Sequence, residues 1–388
     1  MKEGWTTRKF SDIFVLQMGK TPSRDNSSYW GGTNTWVSIA DMNCGKYIYD
    51  TKEHITNSAV SESGIYRVSK DTVIMSFKLS IGKTAIATKD LYTNEAIMSF
   101  NTKEGFEILP DYIYYYLKGY KWQGMNKAVM GMTLNKKAIS NNIFSYPNTL
   151  QQQHIVEELD LLSSIIEKKK AQLNELDNLV QSLFYEMFGD PITNENGWQI
   201  RLLKEVIKVV GGYAFKSSAF VEEGIPVLRI GNINSGEFKA VNMVFWEKDE
   251  KLSRYRMIPG DLVMSLTGTV GKSDYGNVCI LDDSYKEYYL NQRNAKLEIV
   301  GDIDKWYLSN ILKNDSVKTK LTDISRGVRQ ANISNKDIEN LRIPIPPLAL
   351  QQQFASKIEA IEHQKELIRQ SIKEVETLLN SRMDYYFN

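Results

Sequence analysis

The feature that most constrains this chain is a run from Asn148 to Gly189 in which apolar residues recur at alternating steps of four and three. This spacing is typical of a coiled-coil seam. The seam consists of Ile155, Leu159, Leu162, Ile166, Lys169, Leu173, Leu176, Val180, Leu183 and Met187. Asn148 or Thr149 can cap the start of such a helix, and Gly189 followed by Pro191 can end it. The pattern therefore predicts one helix of roughly 60 Å at about 1.5 Å per residue, and its seam requires a partner.

A second run near the C-terminus supplies that partner. It opens on Leu350-Gln351-Gln352-Gln353, which repeats Leu150-Gln151-Gln152-Gln153. Its seam consists of Phe354, Ile358, Ile361, Lys365, Ile368, Ile372, Val375 and Leu379. Lys169 and Lys365 interrupt the two seams. Each lysine either fixes the register of the pair or extends past the core to solvent, and the sequence leaves both interpretations open.

The segments before the two helices also repeat each other, which indicates an internal duplication. The matched positions are Trp5 with Trp198, Arg8 with Arg201, Gly19 with Gly212, Trp36–Ile39 with Val227–Ile230, Met75-Ser76 with Met264-Ser265, and Gly82-Lys83 with Gly271-Lys272. Strands are predicted at Trp36–Met42 and Thr72–Phe77, and a helix at Asp111–Lys118 whose tyrosines pack into the core. The predicted fold class is α+β, with two mixed α/β domains in tandem. Each is followed by a long helix, and the two helices pair as an antiparallel coiled coil. The predicted boundaries are 1–147, 148–190, 191–347 and 348–388.

Composition excludes several classes of protein. The 388 residues include no run of eighteen apolar residues and no visible signal peptide, so a cytoplasmic location is expected. Two cysteines and three histidines lie too far apart to indicate a disulfide framework or a zinc site. The formal net charge is +1, but the two helices together carry −5, so the remaining segments carry +6. The positive charge therefore lies on the two domains, although so small an excess can also arise by chance.

Catalytic motifs are not visible. Gly82-Lys83-Thr84 and Gly271-Lys272-Ser273 resemble the end of a phosphate-binding loop, but Phe77 and Leu266 replace the glycine that such a loop needs five residues earlier. A tight turn with an exposed lysine is the better interpretation. Neither a dinucleotide fingerprint, a nucleophile elbow, a His-Glu-x-x-His pair nor a methyltransferase motif is present. The sequence therefore predicts no catalytic residue and no metal ligand.

Several loops instead carry side chains suited to reading DNA. Arg326 and Arg329 can pair with guanine, and Gln330 and Asn332 with adenine, although a solvated loop explains the same residues equally well. The full set of candidate DNA contacts is Lys20, Thr21, Ser23, Arg24, Ser76, Lys78, Lys83, Lys127, Thr133, Asn135, Lys136, Lys137, Tyr213, Phe215, Lys216, Arg229, Asn232, Ser265, Thr267, Thr269, Lys272, Arg326, Arg329, Gln330 and Asn332. At the place in the first half that matches Arg326–Asn332, the basic stretch from Lys127 to Lys137 is more suited to contact with phosphate than with bases.

Four segments carry a resemblance to a known family. They are Ile343–Gln352 at the start of the last helix, Gly260–Ser265 with Gly268–Lys272, and Gln330–Ser334. With the duplicated order of domain and helix, they resemble the specificity subunit of Type I restriction-modification systems. The resemblance implies two target-recognition domains that each read half of an asymmetric, interrupted DNA site, with the paired helices setting the gap.

The resemblance also implies partners. Two modification subunits would bind S-adenosylmethionine and methylate adenine, and two restriction subunits would use ATP and magnesium, while this chain would bind no cofactor and catalyse nothing. One alternative is an autonomous coiled-coil scaffold or repressor, which predicts tight specific DNA binding by the chain alone. Another is a methyltransferase with an unrecognised site, which predicts that the chain binds S-adenosylmethionine.

Overall fold

The structure is a computed structural model that describes residues 3–43, 45–78, 80–123, 126–128, 131–233, 236–269, 274–323 and 330–388, with backbone only at 126–128, 131–133 and 330. The chain divides into two compact units. Unit 1 consists of Met1–Ala171 and Arg369–Asn388, and unit 2 of Gln172–Ile368. Each unit therefore joins one mixed domain to a part of each long helix.

Unit 1 is built on a five-stranded sheet of order β2-β9-β6-β7-β4 and a three-stranded sheet of order β5-β3-β8. Its strands are β1 (Thr6–Lys9), β2 (Phe14–Met18), β3 (Trp30–Val37), β4 (Tyr47–Ile48), β5 (Glu53–Ile55), β6 (Val73–Ser76), β7 (Thr84–Ala87), β8 (Tyr92–Thr93), β9 (Ile97–Thr102), β10 (Asn126–Ala128), β11 (Gly131–Thr133) and β12 (Ile143–Tyr146). Its helices are α1 (Phe10–Ile13), α2 (Asn57–Ser63), α3 (Pro110–Gly119), α4 (Lys136–Asn141) and α5 (Thr149–Phe188), which continues into unit 2.

Unit 2 has a four-stranded sheet of order β14-β22-β18-β20 and another of order β16-β15-β21-β17. Its strands are β13 (Gln199–Leu202), β14 (Ile207–Gly211), β15 (Ile225–Leu228), β16 (Val244–Trp246), β17 (Arg256–Met257), β18 (Leu262–Ser265), β19 (Thr267–Thr269), β20 (Val278–Ile280), β21 (Tyr288–Leu290), β22 (Asn294–Ile299), β23 (Gln330–Asn332) and β24 (Arg342–Ile345). Its helices are α6 (Lys305–Lys313), α7 (Asp315–Thr322), α8 (Asn335–Glu339) and α9 (Leu348–Phe387), whose residues from Arg369 onward belong to unit 1.

The core of each domain forms around a short apolar strand. All four residues of β6 are buried, and so are all four of β18, as expected of central strands covered on both faces. In unit 1, α3 packs beside this sheet, and Tyr112 and Tyr115 are almost inaccessible to solvent. The prediction that the tyrosines of this helix belong to the core is therefore confirmed.

The duplication extends to individual hydrogen bonds, although the equivalent glutamines are one residue out of step with the match of the two Leu-Gln-Gln-Gln runs. Gln152 is fully buried, where it accepts from the Leu109 N–H at 2.9 Å and donates to the Pro147 carbonyl at 3.0 Å. Gln351 is equally buried, accepting from the Asp304 N–H at 2.8 Å and donating to the Pro346 carbonyl at 2.7 Å. Each glutamine thus satisfies backbone groups at the junction between a domain and its helix.

The two long helices run antiparallel in both units. In unit 1, Arg382 pairs with Glu158, and the Lys170 Nζ lies 3.7 Å from a Glu376 carboxylate oxygen. Residue numbers therefore rise along α5 in the direction in which they fall along α9. In unit 2, the Lys365 Nζ lies 2.7 Å from an Asp177 carboxylate oxygen, and Phe354 packs against Phe184 and Phe188 further along α5. The predicted α+β fold, with two tandem domains and an antiparallel helix pair, is confirmed.

The predicted seams are buried over most of their length. The buried members are Ile155, Leu159, Leu162, Ile166, Val180, Phe354, Ile358, Ile361, Ile368, Ile372 and Leu379, while Leu173, Leu176, Leu183, Met187 and Val375 are half-buried. Phe184 and Phe188 are buried although the heptad pattern did not select them. They face Tyr307 of the second domain, so the last turns of α5 serve the domain core as well as the helix pair.

The two seam lysines differ. Lys365 is 4 % exposed, whereas Lys169 is half-buried. The Lys365 amine contacts Asp177, Glu362 at 2.8 Å and Glu237 at 3.8 Å. Because it lies within a cluster of carboxylates, the interpretation that Lys365 extends past the core to solvent is wrong. Its buried amine is instead covered by partly exposed carboxylates.

One predicted strand is displaced. The prediction covered Trp36–Met42, but β3 ends at Val37, and Asp41–Asn43 form a short 3-10 turn. The Asp41 carboxylate accepts from the Ser38 N–H at 2.9 Å and from the Ser38 hydroxyl at 2.6 Å, which bends the chain away from the sheet. The strand predicted at Thr72–Phe77 and the helix at Asp111–Lys118 are confirmed as β6 and α3, to within a residue at each end.

Candidate nucleic-acid interface

Unit 2 brings separate candidate segments together through a short antiparallel ladder. Strands β19 and β23 pair with the register Thr267 to Asn332 and Thr269 to Gln330. The Ile333 N–H then donates to the Leu266 carbonyl at 2.8 Å. Sixty residues of sequence separate these strands, yet the ladder places them side by side. Thr269 and Asn332 are exposed on it, whereas the Thr267 hydroxyl is buried. Exposed hydroxyl and amide side chains are suited to contact with DNA.

A three-residue turn joins this ladder to another candidate segment. The turn is Asn291-Gln292-Arg293, between β21 and β22. On one side the Gln292 N–H donates to the Tyr213 carbonyl at 2.9 Å, and on the other the Leu266 N–H donates to the Arg293 carbonyl at 2.9 Å. Gln292 and Arg293 are both exposed. The turn therefore lies between the Tyr213–Lys216 segment and the β19–β23 ladder.

Unit 1 builds the same arrangement around the turn Asn94-Glu95-Ala96, between β8 and β9. The Lys20 N–H donates to the Thr93 carbonyl at 2.8 Å, and the Phe77 N–H donates to the Ala96 carbonyl at 3.0 Å. These bonds place the segments that begin at Lys20 and at Phe77 on either side of the turn. We call the two turns the Asn turns, since each begins with an asparagine whose side chain bonds the backbone two residues later, at 3.0 Å in unit 1 and 3.3 Å in unit 2.

Glycines fix the approach to both Asn turns. A Cβ on Gly19 would lie 2.1 Å from the Thr93 carbonyl oxygen, and a Cβ on Gly212 would lie 2.1 Å from the Asn291 carbonyl oxygen. Only glycine permits backbones to approach so closely. The matched glycines of the sequence repeat thus hold the candidate segments against the turns.

The charges at the unit 1 turn are balanced. A hydrogen bond from the Thr21 hydroxyl lowers the pKa of the Glu95 carboxyl, and the positive charges of Lys78 and Arg24 lower it further. Arg24 is held by Glu53 and lies over the Trp30 ring, 3.7 Å from its centroid. The hydrogen bond to Glu53 raises the pKa of Arg24. At neutral pH this surface therefore presents an ionised carboxylate among fixed cations.

Three predicted DNA contacts are wrong because the structure buries them. Ser76 and Ser265 are 0 % exposed, and their Oγ atoms accept from the Lys83 and Asn277 N–H groups, each at 3.1 Å. Both serines therefore close a hairpin. Asn232 is 2 % exposed and donates to the carbonyls of Lys239 and Val241 at 3.0 and 2.9 Å. Its role is to hold a loop together, because a fully bonded, buried amide has no capacity left for a base.

Other predicted contacts keep an exposed position but already have partners in the chain. Asn135 caps α4 through the Ala138 N–H at 2.8 Å, the Lys83 Nζ donates to Asn43 at 2.7 Å, and the Thr269 hydroxyl donates to Asp274 at 2.9 Å. Phe215 is half-buried and packs on Trp246, 5.1 Å between ring centroids, so it supports the core.

The remaining predicted contacts stay predictions. Lys20, Ser23, Lys136, Lys137, Tyr213, Lys216 and Asn332 are exposed, and Thr21, Lys78, Arg229 and Thr267 are partly exposed. Lys272, Arg326 and Arg329 lie outside the described residues, as do the side chains of Lys127, Thr133 and Gln330. Sequence reasoning missed the Asn turns. The available signal was the asparagine that precedes β9 and β22 at matching places in the repeat.

The described part of the chain offers neither a metal site nor a membrane span. Across residues 3–388, excluding the gaps given above, no three His, Cys, Asp or Glu side chains form a group that could hold a metal ion. Within the same part of the chain, the helices lack the length and apolar character of a membrane span.

Comparison with known proteins identifies the family. The model of the Type I restriction modification DNA specificity domain matches residues 2–178 and again residues 195–377. The chain is 26% identical to the Type I restriction enzyme MjaIX specificity subunit of Methanocaldococcus jannaschii over 92% of this chain and 86% of that protein. The chain therefore belongs to the family of Type I restriction-modification specificity subunits and carries its DNA specificity domain twice.

Solved structures share the fold. One chain from a study of complex assembly and conformational transition of the type I R-M system has a TM-score of 0.58 at 16% identity, covering 100% of this chain and 98% of that one. The S subunit from M. genitalium has a TM-score of 0.52 at 13% identity, covering 99% and 96%.

The family membership confirms the predicted class of function. The chain is a DNA-recognition subunit of a Type I restriction-modification complex, and it is the recognition component and not the catalyst. Its partners are DNA and the other subunits of such a complex. The autonomous scaffold or repressor is not favoured.

Proposed function

We propose that the chain reads an asymmetric DNA site in two parts, one part with each unit. The observation that supports this is the duplicated Asn turn. Both units hold the same backbone arrangement, but the residues on it differ, with Glu95-Ala96 in one and Gln292-Arg293 in the other. Two surfaces of equal shape and unequal chemistry suit two half-sites of different sequence.

The helix pair sets the number of unread base pairs between the half-sites. Helices α5 and α9 are forty residues each and pass from one unit into the other. An α-helix resists bending, so its length is a suitable measure of distance. Insertion of one heptad after Ala171 in α5 and one after Ile368 in α9 keeps the seam in phase. About 10 Å of added helix corresponds to roughly three base pairs of B-DNA.

We expect that insertion to lengthen the gap by about three base pairs and to leave both half-sites unchanged. Methylation mapping of the variant measures both quantities at once. An altered half-site sequence with an unchanged gap would contradict the role of the helices.

The modification subunits dock on the outer faces of the helices and on adjoining domain surfaces. The exposed leucines of α5 and α9 support this, since Leu161 and Leu367 are 62 % and 53 % exposed. Large apolar side chains on the surface of a helix are suited to burial by a partner. We propose two modification subunits, which bind S-adenosylmethionine and methylate adenine, and two restriction subunits, which use ATP and magnesium. The complex acts on DNA in the cytoplasm, and this chain itself binds no cofactor.

The experiment that tests the proposal is adenine-methylation mapping by single-molecule sequencing. DNA is taken from cells that produce this chain with its modification subunit. A two-part asymmetric motif with a fixed gap is expected. Absence of methylation, despite a demonstrated complex with an active modification subunit, would overturn the proposal. The same would follow if the isolated chain bound one contiguous site tightly, which is the behaviour of a repressor.

A further inference from the structure

We propose that the second and third residues of the Asn turns determine sequence specificity, with Gln292 and Arg293 reading one half-site and Glu95 reading the other. This inference rests on the proposed function and assigns particular residues to it. None of the three belongs to the set of candidate contacts obtained from the sequence.

The two turns are geometrically equivalent. In each, the first asparagine accepts from the N–H of the third residue, and its carbonyl accepts from the first residue of the following strand, Ile97 at 3.2 Å or Asn294 at 2.9 Å. Glu95 therefore corresponds to Gln292, and Ala96 to Arg293. These hydrogen bonds fix the backbone, so a side chain at either position starts from a rigid point. A contact made from a fixed backbone carries no cost for ordering the turn when the side chain binds DNA.

Each turn lies at the centre of its candidate surface. Segments from three separate parts of the chain meet there, held by hydrogen bonds on both sides of the turn. Flanking segments that carry lysines and hydroxyls are suited to phosphate and sugar, whereas a central exposed turn is suited to the base edges in the groove. The placement thus separates positioning residues from base-reading residues.

The side chains at the two turns have different base preferences. The Arg293 guanidinium is exposed and, within the described part of the chain, forms no ion pair, so both of its terminal nitrogens are available to guanine O6 and N7. The Gln292 amide matches adenine N6 and N7. Glu95 only accepts hydrogen bonds when ionised, and it therefore selects the exocyclic amine of cytosine.

The charge environment of Glu95 is consistent with this role. A bare carboxylate would be repelled by DNA phosphates. Lys78 and Arg24 both stabilise its negative charge, and the Thr21 hydroxyl donates to it and holds it in place. The carboxylate can thus approach a duplex with its charge compensated. Ala96, at the position of Arg293, is 6 % exposed and offers nothing to a base.

The test uses the duplication as an internal control. Arg293→Ala gives the unit 2 turn the third residue of the unit 1 turn, and Glu95→Gln gives the unit 1 turn the second residue of the unit 2 turn. Each variant is produced with the modification subunit. Methylation is then quantified at the wild-type motif and at sites with one base pair changed. Arg342→Ala is the matched control, because Arg342 is exposed on β24, in a sheet without candidate contacts.

For Arg293→Ala we expect the preference for one base pair of one half-site to fall about 5- to 150-fold, with the other half-site unchanged. Glu95→Gln is expected to change one position of the opposite half-site only. The unaffected half-site in each variant reports intact folding and assembly. Arg342→Ala is expected to leave both half-sites as they are.

Three results would overturn the inference. One is a wild-type two-part motif that persists unchanged in both variants. Another is uniform loss across all sequences with a shallower salt dependence, which indicates phosphate contacts. The third is a change at the same half-site in both variants. A wild-type complex that gives no two-part motif would refute the proposed function itself, and the inference with it, so the two failures are distinguishable.

Discussion

Lys365, inside the helix pair, and its carboxylate partners allow a prediction in which removal of the carboxylates destabilises the chain and removal of the lysine does not. The Lys365 side chain is 5% exposed, while Asp177 and Glu362 are 53% and 31% exposed. Burial alone would lower the pKa of Lys365, but hydrogen bonds to these two carboxylates outweigh it and raise the pKa above the ordinary value. The amine is therefore charged at neutral pH, and its stabilising contribution is lost only as the pH rises through this raised value.

The perturbation is removal of one side of the cluster at a time. The double change Asp177→Asn with Glu362→Gln leaves a charged amine in an apolar seam with Glu237 at 3.8 Å as its remaining acidic neighbour. Removal of one partner of a buried ion pair lowers the free energy of unfolding by about 3–5 kcal/mol. Because the carboxylates here are partly solvated and Glu237 remains, we expect the double variant to lower it by about 2–3 kcal/mol. Lys365→Met removes the buried charge, and both carboxylates then regain water. The expected change is within about 1 kcal/mol of wild type.

Urea unfolding monitored by the helical circular-dichroism signal measures both effects. The double variant should shift the midpoint clearly downward, and Lys365→Met should stay near wild type. Lys169→Met is the matched control on the other helix, at a half-buried position. If Lys365→Met destabilises the chain as much as the double variant does, a methionine in the seam does not replace the ion pairs, and the reasoning that the loss comes from a charged amine left without its carboxylates is refuted.

Three further predictions concern single sites. Gly212→Ala should lower the free energy of unfolding by at least about 3 kcal/mol, because its Cβ would lie 2.1 Å from a backbone oxygen. The control Gly231→Ala meets nothing within 4 Å, so its free energy of unfolding should stay within about 0.5 kcal/mol of wild type in the same urea assay. Gln351→Leu should lower the free energy of unfolding by about 2–4 kcal/mol, because two backbone groups lose their hydrogen-bond partner. Gln352→Leu, at the exposed neighbouring position, should leave the free energy of unfolding unchanged. Equal urea midpoints for the two variants would contradict this. Burial raises the pKa of the Cys279 thiol to about 12. Iodoacetamide at pH 8 should therefore modify Cys279 only after denaturation, which peptide mass spectrometry measures. Rapid labelling of Cys279 in the native chain would contradict its burial.

The long helices were predictable because their signal is local and repeated. A four-three spacing sustained over forty residues specifies a helix, its buried stripe and the need for a partner. Phe184 and Phe188 were not predictable in this way. Their burial depends on Tyr307, more than a hundred residues further along the chain, and no period within α5 reports it.

The candidate interface was predictable in part. The sequence repeat pointed to the correct hairpins, but it also selected Ser76 and Ser265 as DNA contacts. Their duplication reflects a shared structural hydrogen bond in the hairpin, which a sequence cannot distinguish from a shared contact. The Asn turns could not be predicted from the sequence, because a segment of three residues is too short to show a periodic pattern. Their central position depends on backbone pairing with segments such as Phe77 and Leu266, which lie far away in sequence.

The division of the chain has a consequence for the order in which its parts can fold during synthesis. Unit 2 is one continuous segment and has all its residues once Ile368 has been added, whereas unit 1 requires Arg369–Asn388. In that last segment, Phe387 packs on Tyr112 and Tyr116, and Arg382 pairs with Glu158. The domain that leaves the ribosome first therefore lacks these contacts until every residue of the second domain has been made. A chain that ends after residue 368 would therefore lose contacts in the first domain, although the second domain is closer to the end in sequence.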